Sequence, residues 1–257
     1  MIAAGILLAV LGGLVFGSFA NVVVHRVPLK QSIVRPASRC PSCGVELRTR
    51  DNIPVVSWLL LRGRCRNCGE RISVRYPAIE ILTAVLFGLA AWRIRPATDL
   101  IAYVPLLWVL VVLSFIDLEH KLLPNRIVIP AFATGVLLLG ISAALGPGVV
   151  AWVRALLGAV TAFAVFFALA LISPRGMGMG DVKLSAVLGL ALGYLGWGRL
   201  FVGFFIAFAA GAVGGIALVI ARRAGMKTEV PFGPYLALGT IASVLFGAPI
   251  VRAWITH

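Results

Sequence analysis

Residues Met1 to Val24 read MIAAGILLAVLGGLVFGSFANVVV, without one charged side chain. As a helix rising 1.5 Å per residue, that stretch reaches about 36 Å. The hydrocarbon core of a bilayer is roughly 30 Å thick, so the segment is long enough to cross it. It lacks the basic start and small-residue cleavage site of a secretory leader, and is expected to remain as a spanning helix. Similar continuous apolar runs follow at residues 77–93, 99–116, 126–145, 149–172, 183–197, 199–221 and 232–254. Their apolar residues do not alternate with period two, which favours helices over a barrel. With 61% hydrophobic and 12% charged residues and a mean hydropathy of +1.04, the chain is far too apolar for a soluble domain. The expected fold is an all-α polytopic membrane protein with about eight transmembrane helices. The run at 183–197 is short and only Gly198 separates it from the next, so the pair also reads as a re-entrant element.

The net charge of +14 raises the question of nucleic acid. Its placement answers it. With eight spans the connections alternate between the two faces. Those at 25–76, 117–126, 173–183 and 222–227 share a face and carry 18 of the 23 Lys and Arg residues. Arg93, Arg95, Arg154, Arg199 and Arg252 fall on the other face. The positive-inside rule makes the rich face cytoplasmic, and no nucleic-acid partner is needed to explain the charge.

The one sizeable hydrophilic stretch, residues 25–76, holds all four cysteines: Cys40, Cys43, Cys65 and Cys68. Two C-x2-C pairs, CPSCG and CRNCG, are separated by 21 residues, and each is followed by a glycine that lets the backbone fold two thiolates onto one ion. Four thiolates at this spacing fit a closed tetrahedral zinc site. A reducing cytoplasmic face disfavours disulfides. With no open coordination position, the metal is expected to be structural. The division expected is a first transmembrane helix at 1–24, a cytoplasmic four-cysteine zinc domain at 25–76, and a transmembrane core at 77–257.

Two carboxylates stand at the ends of apolar runs. Asp117 lies in FIDLEHKLLPN and Asp181 in GMGMGDVKL. Ionisable groups at a membrane are costly unless partnered or wet, and mark functional sites by default. The proposed topology sets both at the cytoplasmic ends of spans. Two carboxylates in contact share a proton, so the pair can activate water as a base and protonate a carbonyl as an acid. Gly176, Gly178 and Gly180 would allow close backbone approach of a peptide, and Lys183 belongs to the same loop. The plain alternatives are an interfacial cap or salt bridge, with Lys121 and Arg126 as partners for Asp117, and Lys183 for Asp181. Glu119 is read as exposed, and His25, His120 and His257 have no ligand spacing. PFGP at Pro231 to Pro234 reads as a rigid turn beside the site or equally as a plain helix start.

Taken in order, GSFANVVVHRVP (Gly17 to Pro28), CPSC…CRNC, NIPVVSWLLLRGRC (Asn52 to Cys65), ISVRYPAIE (Ile72 to Glu80), IDLEHKLLPN (Ile116 to Asn125), GMGMGDVKL and VPFGPYLALG (Val230 to Gly239) resemble the bacterial type IV prepilin peptidases. The resemblance implies a bifunctional enzyme of the bacterial inner membrane, with active sites facing the cytoplasm. Such an enzyme cleaves the basic leader of prepilins and type II secretion pseudopilins just after a glycine. It then methylates the new N-terminal residue with S-adenosylmethionine. It implies Asp117 and Asp181 as the catalytic pair, the latter in a GxGD motif. The four cysteines match a zinc-bound domain associated with methylation, and Glu80 is a candidate for binding cofactor or amine. The chain carries no glycine-rich nucleotide-binding turn of its own. A transporter and a structural assembly protein are the rival classes. The first does not account for the cysteine loop, nor the second for the GMGMGD glycines.

Overall fold

The computed structural model describes residues 2–173, 177–221 and 231–255, and among them the regular structure is helical. The chain divides into two compact units, residues 1–92 and 93–257. Among the described residues, seven helices are long and apolar enough to cross a membrane.

The first unit contains α1 (Ile2–Arg26), the short α2 (Val56–Leu60) and α3 (Arg75–Arg93). Gly13 and Gly17, four apart on α1, face Ala84 and Glu80, four apart on α3. A Cβ at Gly13 would lie 2.5 Å from the Ala84 Cα, and one at Gly17 2.6 Å from the Glu80 Cα. In lipid, helices associate through such small residues because no hydrophobic drive separates them from the solvent tails. Between α1 and α3, residues 27–74 fold into a loop with little core. Only Cys40, Ser57 and Gly63 of that stretch are buried.

The second unit contains α4 (Leu100–His120), α5 (Asn125–Leu145), α6 (Val149–Ile172), α7 (Met179–Leu195), α8 (Trp197–Ile220) and α9 (Gly233–Ile255). The expected span at 183–197 appears as α7, which begins earlier and takes Asp181 into its first turn. Seventeen residues reach about 26 Å, short of the bilayer core. The helix tolerates this because it packs against α5, α6, α8 and α9 and is buried along most of its length. Its G-x-x-x-G, Gly189 and Gly193, meets Gly158 and Ala162 of α6. A Cβ at Gly189 would lie 2.4 Å from the Gly158 carbonyl oxygen. Gly189→Val is therefore expected to destabilise the unit by about 3 kcal/mol, the upper range for overpacking. A detergent melting curve unchanged from the parent would show that α6 and α7 can part without cost.

At the C-terminal end of α7, Arg154 donates to the carbonyls of Gly193 (2.8 Å) and Tyr194 (2.6 Å), capping orphan acceptors. Beside it the buried Asp99 accepts hydrogen bonds from the Tyr194 hydroxyl at 3.1 Å and from Ser142. This polar clasp leaves the other end of α7, where Asp181 stands, to the candidate site.

Candidate active site and metal centre

Asp117 occupies the last turn of α4, after the buried Leu113 and Ile116. Lys121 ends that helix in a left-handed conformation (φ 51°, ψ 43°), its N–H bonded to the Asp117 carbonyl. The chain then turns through Leu123 into α5. Asp181 is the third residue of α7, and Val182 and Leu184 behind it join Leu110, Leu113 and Leu236 in the unit's apolar core. The core thus fixes both carboxylates from below.

The two aspartates, 64 positions apart in sequence, are brought close enough to interact electrostatically. Asp117 is 5% exposed, and its Oδ2 accepts the Gly233 N–H at 2.9 Å. That donor is the first residue of α9, where unsatisfied N–H groups and the helix dipole favour a negative partner. Asp181 reaches back to the N–H of Gly178, the residue capping its own helix. Its Oδ1 is buried with no hydrogen-bond partner among the described residues. An oxygen so placed is ready for a shared proton or a substrate carbonyl.

Leu123 lies beside Gly180 and Gly233. It is the nearest neighbour of a Cβ built at Gly180 (3.0 Å), and lies 3.3 Å from one built at Gly233. Gly233 itself has no room for a side chain, since a Cβ there would sit 2.8 Å from the Asp117 Oδ2. In the sequence PFGP reads as a rigid turn beside the site or a plain helix start; it starts α9, and its Gly233 N–H binds Asp117, a contact the sequence reading did not name. Asn125 was missed too: its Oδ1 accepts from the Lys183 Nζ at 3.1 Å, bracing α5 against α7. Gly178 is exposed and Gly180 half-buried beside the pair, and Glu119 is exposed. Gly176 lies outside the described residues.

In the first unit the four cysteine sulfurs all lie within 4.8 Å of one another. Cys40 and Cys68 are 3.8 Å apart, and all four are free thiols. A tetrahedral site with Zn–S bonds near 2.3 Å requires sulfurs about 3.8 Å apart, so the cluster could hold a metal ion. Two matched turns build it. The Gly44 N–H bonds the Cys40 carbonyl and the Gly69 N–H that of Cys65, with both glycines at positive φ (69° and 73°). The Val45 N–H and the Asn67 side chain draw the Cys43 thiol down to about 7. The Glu70 N–H also favours the Cys68 thiolate, but burial and the three neighbouring sulfurs push that thiol up to about 12. Four sulfurs resist sharing this much charge alone, and a cation relieves it. The Arg66 guanidinium grips Asp51 through contacts of 2.7–3.1 Å and holds its carboxyl below the usual range.

Glu80 on α3 is 7% exposed. Its Oε2 accepts the Val55 N–H at 2.7 Å, and the Ser18 hydroxyl is a second partner. Val55 has φ 61° and ψ −49°, a costly conformation for a β-branched residue. The carboxylate therefore holds a strained backbone turn.

Comparison with known proteins bears on both units. The family described as Bacterial Peptidase A24 N-terminal domain matches residues 11–94, and the Type IV leader peptidase family matches residues 104–216. A prepilin leader peptidase/N-methyltransferase of Aeromonas hydrophila is 36% identical over 277 residues, covering 97% of this chain and 93% of the relative. A Pseudomonas aeruginosa protein of the same name is 36% identical over 276 residues, with the same coverage. One from Bacillus subtilis is 36% identical over 246 residues, covering 95% of each. No solved structure matches the chain.

Proposed function

Because this chain belongs to the type IV leader peptidase family of multi-pass bacterial membrane proteins, we propose that it is a prepilin leader peptidase and N-methyltransferase. The observation that supports the proposal is that Asp117, bound by the Gly233 N–H, and Asp181 lie near enough to interact electrostatically at one end of the second unit. Water is held between the carboxylates and loses a proton to one of them as its oxygen attacks the scissile carbonyl carbon. The other carboxyl donates its proton to the carbonyl oxygen. Collapse of the tetrahedral adduct breaks the C–N bond, and the leaving amine takes up a proton from the pair. Asp117, tied to the Gly233 N–H, suits the ionised base, and the unpartnered Asp181 Oδ1 suits the acid.

The substrates fit a basic leader followed by an apolar helix. The helix would lie in the bilayer while the leader stays on the cytoplasmic face, as the charge rule requires. On this reading the enzyme would sit in the inner membrane with both active sites toward the cytoplasm. Gly178 and Gly180 would let the substrate backbone approach the pair, with Lys183 beside them. The cysteine loop, residues 25–76, would hold a structural zinc ion. S-adenosylmethionine would supply the methyl group to the new N-terminus. Glu80, engaged by Val55 and Ser18, would contribute by bracing the loop of that methylating unit.

Incubation of the purified protein with a prepilin and S-adenosylmethionine, read by mass spectrometry, tests both halves. The expected products are a leader-free pilin and then the same pilin heavier by one methyl group. An intact prepilin would sink the peptidase assignment, and a cleaved but unmethylated pilin the second half. Gly233→Ala is expected to lower cleavage about a hundredfold with little change in KM. Its Cβ displaces the Asp117 carboxylate, and misplacement by about 1 Å costs that much. An unchanged kcat would separate the Gly233 contact from catalysis.

A further inference from the structure

RCPSCGVE at Arg39 to Glu46 and RCRNCGER at Arg64 to Arg71 are two copies of one knuckle. Superposing their cysteines sets Arg39 on Arg64, Gly44 on Gly69 and Glu46 on Arg71. Each copy is closed by one antiparallel bridge between its first and last residues, Arg39 with Glu46 and Arg64 with Arg71. Residues opposed in such a bridge project to the same face about 5 Å apart, where opposite charges attract and like charges repel. The first knuckle is matched. The second opposes arginine to arginine, Arg64 to Arg71, and both are exposed.

The loop's acids do not neutralise that pair. Glu46 faces Arg39 across its own bridge, and Asp51 is held by Arg66. The Glu70 side chain accepts the Arg71 backbone N–H at 3.1 Å. Neither Arg64 nor Arg71 makes an ion pair among the described residues. Within five residues of them along the chain are three exposed apolar side chains: Leu59 (61%), Leu60 (78%) and Val74 (66%). The Trp58 indole N–H donates to the Ile72 carbonyl at 3.1 Å, and the Ile72 N–H to the Gly63 carbonyl at 2.7 Å. Leucines and arginines therefore ride on one small, braced piece of chain. That piece runs directly into α3 at Arg75, where a candidate membrane span begins. Topology accounts for how many basic residues the loop carries, but not for the leucines or the like-charge bridge.

We propose that the second cysteine knuckle docks on the bilayer surface, Arg64 and Arg71 sharing the phosphate of an anionic phospholipid while Leu59, Leu60 and Val74 enter the interface. The partner's charge relieves the repulsion within the bridge, and the apolar trio sits where the chain already meets lipid. Arg-rich surfaces carrying apolar side chains bind anionic membranes in this way.

Hydrogen exchange of the full-length protein tests it, in nanodiscs of phosphatidylcholine alone and of phosphatidylcholine with one quarter phosphatidylglycerol. Peptides spanning 56–74 are expected to exchange more slowly in the anionic discs, and to lose that protection in high salt. Arg71→Glu gives the second knuckle the charge match of the first, so metal content should be kept. The docking equilibrium should weaken about thirtyfold, since reversing one charge changes the surface by two units. Should that variant lose its metal, Arg64→Gln supplies the same reading with a smaller change. Equal protection in neutral and anionic discs would overturn the proposal, as would an anionic-disc effect that survives in the metal-replete variant.

Discussion

Asp117→Asn and Asp181→Asn are each expected to lower leader cleavage by at least about a thousandfold, in line with loss of a general acid or base. The substitutions are isosteric, so the loss would report chemistry and not folding. At position 117 the amide oxygen can still accept the Gly233 N–H that now binds Oδ2, so the start of α9 keeps its anchor. What disappears is a group able to take a proton from water. At position 181 the oxygen lacking a partner becomes part of an amide that cannot give up a proton to the carbonyl. Because the two act as one device, the double variant should be about as inactive as either alone. Methylation of an already cleaved pilin should be unchanged in all three. Full cleavage by either single variant would remove that residue from the mechanism and reopen the transporter reading. A double variant far worse than both would show that the carboxylates act independently.

Much of this arrangement was legible in the chain because apolar run length and cysteine spacing are local properties. Long apolar stretches located the long helices to within a few residues, and two C-x2-C pairs located the sulfur cluster. Asp117 and Asp181 stood out because a carboxylate beside a long apolar run needs a reason. What stayed hidden was non-local. Nothing near Asp117 in sequence points to Gly233, 116 residues away, and nothing near Lys183 points to Asn125. The start of α7 was misjudged by a few positions because glycines suppress helix propensity. In the fold, Gly180 lies on Leu123 and Val182 and Leu184 enter the core, so the helix starts at Met179 all the same. Glu80 reads as a candidate for binding cofactor or amine because of its place beside the cysteine loop; its contacts with the Val55 backbone and Ser18 are non-local and could not be read from the chain.

Stripping the metal, or replacing Cys65 by serine, should have the largest structural effect of any local change. Residues 27–74 bury only Cys40, Ser57 and Gly63, so apolar burial cannot offset the entropy of ordering so long a loop. Structural zinc sites supply about 10–16 kcal/mol of apparent binding free energy, and in small metal-organised folds that is folding free energy. The two knuckles have no other cross-link, as the cysteines are free thiols. Chelation in detergent should therefore unfold the loop so that its already exposed basic residues become trypsin sites, giving fragments cut between residues 30 and 71. The spans themselves should stay intact. Methylation should fail with the loop. Leader cleavage should persist, because Asp117, Asp181 and Gly233 are all held by helices of the second unit. A loop that resists trypsin after metal analysis shows the ion gone would mean that burial and the Asp51–Arg66 pair suffice. Cleavage lost together with the loop would mean that the metal-organised unit also serves the peptidase, most simply by receiving the basic leader.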